Sequence, residues 1–99
     1  MDHDADVTAL LERRLKLVGK VSAVNAEALK ANQRICGLQM EMQRIELMPE
    51  DAETGDAGSR RAVDAALAEA ETALAECERR IADLESEMEA LDRRLSAIG

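Results

Sequence analysis

The chain has 99 residues, enough for one small domain, and it contains no Phe, Trp or Tyr to anchor a large globular core or to stack on bases. Its formal net charge is −8, so its overall field repels nucleic acids and anionic membrane surfaces. Charged residues make up 34% of the chain and small or aliphatic residues supply its apolar 46%, a composition typical of long helices and coiled coils.

The first residues, "MDHDAD", are acidic where a signal peptide would be basic and then apolar. No apolar run is long enough to cross a bilayer. Two cysteines without a CxxC motif fit a reducing compartment and do not form a disulfide framework. We therefore expect a cytoplasmic protein that binds neither membrane nor nucleic acid.

A heptad pattern that starts at Val7 predicts a first helix over about 6–47. All but one of its a and d positions are apolar, over six heptads, and the exception is Arg14. The a positions are Val7, Arg14, Val21, Ala28, Ile35 and Met42, and the d positions are Leu10, Leu17, Val24, Ala31, Leu38 and Ile45.

The segment 48–59, "MPEDAETGDAGS", contains the only proline, two of the five glycines and four acids without a base. Pro and Gly are poor helix residues, and Ser59 is a suitable N-cap for a following helix. The segment is therefore predicted to be an acidic turn. Its possible acidic tip consists of Glu50, Asp51, Glu53 and Asp56.

A second heptad pattern predicts a second helix over about 60–98, with every a and d position apolar. The d positions are Val63, Ala70, Cys77, Leu84, Leu91 and Ile98, and the a positions are Leu67, Leu74, Ile81, Met88 and Leu95. Antiparallel pairing of the two helices matches a with a and d with d, from Ile45 with Val63 to Leu10 with Ile98. The predicted fold is an all-α, antiparallel two-helix coiled-coil hairpin that forms a single domain.

Arg14 is the one charge in this inner seam. It could select a register or a partner, as polar residues at a positions do. In the interpretation that we favour, its aliphatic stem packs in the seam while its guanidinium reaches Asp92 or solvent.

Helix one carries a second apolar stripe on its e and b positions, formed by Leu11, Leu15, Val18 and Leu29. Because a lone two-helix hairpin buries little core, we expect this stripe to be covered by another chain. A symmetric homodimer that forms a four-helix bundle is the leading prediction. A docking face for a different protein and a merely exposed stripe are the alternatives.

The sequence predicts no catalytic residues, no metal site and no cofactor, and hence no enzyme. Its carboxylates are spread along solvated helix faces, without a pocket to perturb their pKa values. A flexible acidic terminus around the single His3 is not a preorganised metal site. Cys36 and Cys77 are one turn out of step in the hairpin, so we expect no bond between them.

Three functions are compatible with this organisation. The first is a coiled-coil adaptor or scaffold that acts through protein–protein contact and self-association. In composition the chain also resembles the small, acidic, helical export chaperones of flagellar and type III secretion systems, although no motif carries that resemblance. It would imply that the stripe on helix one binds an amphipathic client helix.

The third possibility concerns the turn. Bacterial factors that enter the secondary channel of RNA polymerase also place acidic residues at the tip of an antiparallel coiled coil, and the acids of segment 48–59 are similarly placed. Those factors carry a second globular or zinc-binding domain, whereas this chain has neither the length nor the four cysteines. The resemblance would make the protein a transcription regulator that inserts its acidic tip.

Overall fold

The computed structural model describes residues 3–47 and 56–98, with side chains described for 4–47 and 58–98. Two long helices account for nearly all of these residues: α1 spans His3–Glu46 and α2 spans Asp56–Ile98. The helices pack against each other, which confirms the predicted all-helical hairpin.

The second helix begins earlier than its predicted start near residue 60. Gly58 and Ser59 lie within the first turn of α2, so Ser59 does not precede the helix as an N-cap. One glycine costs a helix only about 1 kcal/mol relative to alanine, and the neighbouring Ala57 and Arg60 favour helix. Of the predicted acidic tip, Glu50, Asp51 and Glu53 lie outside the described residues, and the side chain of Asp56 does too.

The inner seam follows the predicted heptads. Every predicted a and d position, on both helices, is buried or partly buried. Among the other residues whose side chains are described, only Glu41 and Ala66 are not exposed. The period of 3.5 residues in the sequence therefore marks the face along which α1 and α2 pack.

The contacts divide the chain into two compact units. The first comprises Met1–Ala26 and Cys77–Gly99. Its core is a cluster of Leu10, Leu17 and Leu91, against which Leu84, Met88, Leu95 and Ile98 pack. Leu17 and Leu91 are each only 4% exposed, and burying a leucine to this extent contributes about 1.5–3 kcal/mol.

The second unit comprises Glu27–Glu76. Its buried side chains are Ala31, Ile45 and Ala70, and larger residues such as Leu38 and Leu67 are partly buried beside them. Two of these three buried residues are alanines, which have less apolar surface to remove from water than the leucines of the first unit.

Candidate interaction surface

Among the residues whose side chains are described, several large apolar ones are uncovered, and all of these lie on α1 or directly after it. In the described part of the chain, no large hydrophobic residue of α2 is comparably exposed. The exposed residues, which we call the α1 stripe, are Leu11 (52% exposed), Leu15 (73%), Val18 (38%), Leu29 (58%), Met40 (70%) and Leu47 (85%).

The α1 stripe follows one face of a single helix. At about 100° per residue, its members fall within an arc of roughly 60° around the helix. Leu47 lies just beyond Glu46, but its backbone N–H donates to the Gln43 carbonyl at 3.0 Å, so it continues the helical turn. From Leu11 to Leu47 the chain advances 36 residues, which is about ten turns of a regular helix.

Four members of the α1 stripe, Leu11, Leu15, Val18 and Leu29, are the residues predicted to form an interface, and each is exposed. Met40 and Leu47 were not predicted, because a frame of seven residues places them on f positions. The signal that could have found them is the spacing of eleven residues from Val18 to Leu29 and again to Met40. Eleven residues make three turns at 3.67 residues per turn, which is close to the 3.6 residues per turn of a straight α-helix.

Charged residues border the α1 stripe on one side of α1. Glu12 and Lys16 are exposed near its beginning, and Glu41 and Arg44 lie near its end. Arg44 Nη2 is 2.5 Å from Glu41 Oε1, and its Nε donates to Oε2 at 3.1 Å. These hydrogen bonds lower the pKa of the Glu41 carboxyl and raise the pKa of Arg44.

The two helices differ in charge. α1 carries seven Lys and Arg against six Asp and Glu, whereas α2 carries six against eleven. The acidity of the chain is therefore concentrated on α2, outside the helix that carries the exposed apolar face. A partner that approaches the α1 stripe meets a helix of nearly balanced charge.

In the first unit, Arg14 bridges the two helices. Its Nε donates to Asp92 Oδ1 at 2.7 Å and its Nη2 donates to Oδ2 at 3.4 Å. The prediction that its guanidinium reaches Asp92 is therefore confirmed. The hydrogen bonds lower the pKa of the Asp92 carboxyl and raise that of Arg14, and both side chains stay partly solvated.

The heptad register of the hairpin places Arg13 opposite Arg94, but Arg13 Nη2 lies 3.6 Å from Glu87 Oε1. The flexible side chain thus reaches a carboxylate about two turns away from Arg94. Because both groups are about half exposed, the pair contributes little to stability.

Cys36 and Cys77 form no disulfide with each other, as predicted. Cys36 is exposed on α1, whereas Cys77 is buried in the seam of α2. Within residues 3–47 and 56–98, no three His, Cys, Asp or Glu side chains are grouped so that they could hold a metal ion. Neither described helix has a stretch sufficiently long and apolar to traverse a bilayer.

Comparisons with protein-family models, with curated proteins and with solved structures find no match for this chain.

Proposed function

We propose that the protein is a non-enzymatic, cytoplasmic coiled-coil adaptor that acts through protein–protein contact and self-associates through the exposed apolar face of α1. The observation that carries this proposal is the α1 stripe. Scattered single hydrophobic residues are normal on a protein surface, but six large ones aligned along one helix face are not. A row of this kind is typical of a surface that another helix covers.

The energetics of a small hairpin support the same conclusion. Two helices alone bury little apolar surface, and proteins of this size usually gain stability from disulfides, metals or oligomerisation. No disulfide joins Cys36 and Cys77, so the hairpin lacks a covalent cross-link between its helices. Association of two hairpins through α1 would bring four helices together and remove the apolar face from water.

Self-association is tested by sedimentation equilibrium of the full chain, which measures mass independently of shape. We expect a dimer at micromolar concentration. Replacing Leu15 and Val18 with Asp places two charges in the α1 stripe, and the resulting variant should sediment as a monomer with its helical circular dichroism largely retained.

The matched control is the pair Ala62→Asp and Ala65→Asp on α2. These residues are exposed, have the same spacing of three and add the same charge, but they lie outside the α1 stripe. The control should remain a dimer. A wild-type chain that is monomeric up to high micromolar concentration would contradict self-association, and dissociation of both double variants would show that charge alone, and not the stripe, governs assembly.

A further inference from the structure

We propose that the occupant of the α1 stripe is a second copy of this chain, whose α1 runs antiparallel to the first about a twofold axis at Leu29. This inference rests on the proposed function and specifies its partner and geometry.

The first observation is that the α1 stripe is symmetric in spacing. Starting from Leu29, apolar residues follow at a distance of eleven on both sides, at Val18 and Met40, and again seven further, at Leu11 and Leu47. A twofold contact is self-complementary, so that residue i meets j and residue j meets i. Antiparallel pairing about Leu29 therefore joins Leu11 to Leu47 of the other copy, Val18 to Met40, and Leu29 to itself.

Leu15 is the one member of the α1 stripe without an apolar counterpart, because its symmetric position is Gln43. The other five are matched in full. A parallel dimer needs no such symmetry, since every residue then lies level with its own copy. The stripe of a protein that binds an unrelated client helix needs none either.

The second observation is charge complementarity along the same axis. Residues on one flank of an antiparallel helix pair meet residues on the same flank of the partner helix. Glu12 borders the beginning of the α1 stripe, and Arg44 borders its end on the same side. Antiparallel pairing brings Glu12 beside Arg44 of the other copy.

The pair Glu41–Arg44 already exists within one chain, where the two side chains form a forked ion pair. In the dimer, Glu12 of the second copy adds a second carboxylate beside Arg44. By symmetry this contact occurs twice. Charge pairs of this type set the orientation and register of helix pairs more than they set affinity.

The third observation concerns two glycines inside α1. Gly19 and Gly37 are exposed, and a Cβ added at either would meet nothing within 4 Å, so neither is required by packing within the chain. Each costs the helix about 1 kcal/mol relative to alanine. They are symmetric about position 28, on the flank of the α1 stripe, where the absence of a side chain allows a second helix to come close.

The test uses a native thiol and leaves the apolar residues of the α1 stripe unchanged. Cys36 is exposed, and its symmetric position in the proposed pairing is Ser22. The variant Ser22→Cys should form a covalent dimer under mild oxidation, because the new thiol at 22 faces Cys36 of the other copy. The wild-type chain should not, because Cys36 lies about 14 residues, or roughly 21 Å, from its own copy.

The matched control is Ser22→Cys combined with Cys36→Ser, which keeps the new thiol but removes its partner and should form no covalent dimer. Each variant is first shown by sedimentation to be a dimer under reducing conditions. We expect the single variant to cross-link at least tenfold faster than the wild type and the control.

The remaining outcomes separate the two proposals. A covalent wild-type dimer through Cys36, together with cross-linking of the control, would show a parallel pair and overturn the antiparallel geometry while self-association stands. A non-covalent dimer in which Ser22→Cys fails to cross-link overturns the proposed axis at Leu29. A chain that sediments as a monomer overturns both this inference and the proposed function.

Discussion

The division of α1 into an inner seam and an exposed stripe is tested by two neighbouring leucines. Leu17 is 4% exposed and packs with Leu10 and Leu91, whereas Leu15, two residues before it, is 73% exposed. Replacing a buried leucine with alanine costs about 2–5 kcal/mol, and we expect about 3 kcal/mol for Leu17→Ala because the neighbouring Met88 is flexible enough to fill part of the cavity. Leu15→Ala removes little buried surface and should cost less than about 0.5 kcal/mol.

The assay is urea unfolding followed by circular dichroism, at a protein concentration where the chain sediments as a monomer. A difference of more than 2 kcal/mol between the variants corresponds to about a thirtyfold difference in the unfolding equilibrium constant. Because a small hairpin has only a few kcal/mol of stability in total, Ile45→Val serves as a milder change of a buried residue, with an expected cost of about 0.5–1.5 kcal/mol. Equal losses for Leu15→Ala and Leu17→Ala would refute the assignment of the inner seam.

Three further predictions follow from individual side chains. The pKa of Asp92 is lowered by Arg14, so this carboxylate stabilises the fold above its ordinary pKa of 3.8, and the contribution is lost as the pH falls through the lowered value. Asp92→Asn should therefore lower the melting temperature slightly at pH 7, and this loss should shrink as the pH is lowered below 3.8. Gly19→Ala should raise the unfolding free energy of the monomer by about 1 kcal/mol in urea titrations, and a loss would mean that a neighbour occupies the space beside it. Leu29→Asp should weaken the dimer at least about 100-fold in sedimentation experiments, because two carboxylates then face each other at the axis, and an unchanged dissociation constant would place the contact elsewhere.

The inner seam could be predicted from the sequence because its physical cause is strictly periodic. A residue such as Val24 is apolar and falls on the 3.5-residue repeat, and it is 2% exposed. The match of a with a and d with d then required only an antiparallel turn. The partial burial of Glu41 was not predictable from the heptads, since other g residues of α1, such as Lys20 and Arg34, are exposed.

The candidate surface was predicted in part. Leu11, Leu15, Val18 and Leu29 are dense enough in the heptad frame to be recognised, whereas Met40 is isolated in that frame. Its relation to Val18 becomes visible only when residues are counted along a straight helix, where eleven residues close three turns. The helix α1 thus carries two patterns, the seven-residue repeat of the inner seam and the eleven-residue spacing in the α1 stripe. A search that uses only the seven-residue repeat misses Met40.

The two cysteines differ in exposure, so their reaction with a thiol reagent reports how often the two helices separate locally. Cys77 is 6% exposed, so a thiol reagent reaches it only when the helices separate locally, whereas Cys36 reacts directly from solvent. The ratio of the two modification rates measures how often the seam opens under native conditions, with Cys36 as an internal standard in the same molecule. A ligand that stabilises the packing of the two helices would slow the modification of Cys77. A partner that covers α1 alone would slow the modification of Cys36. One labelling experiment therefore distinguishes stabilisation of the fold from coverage of its surface.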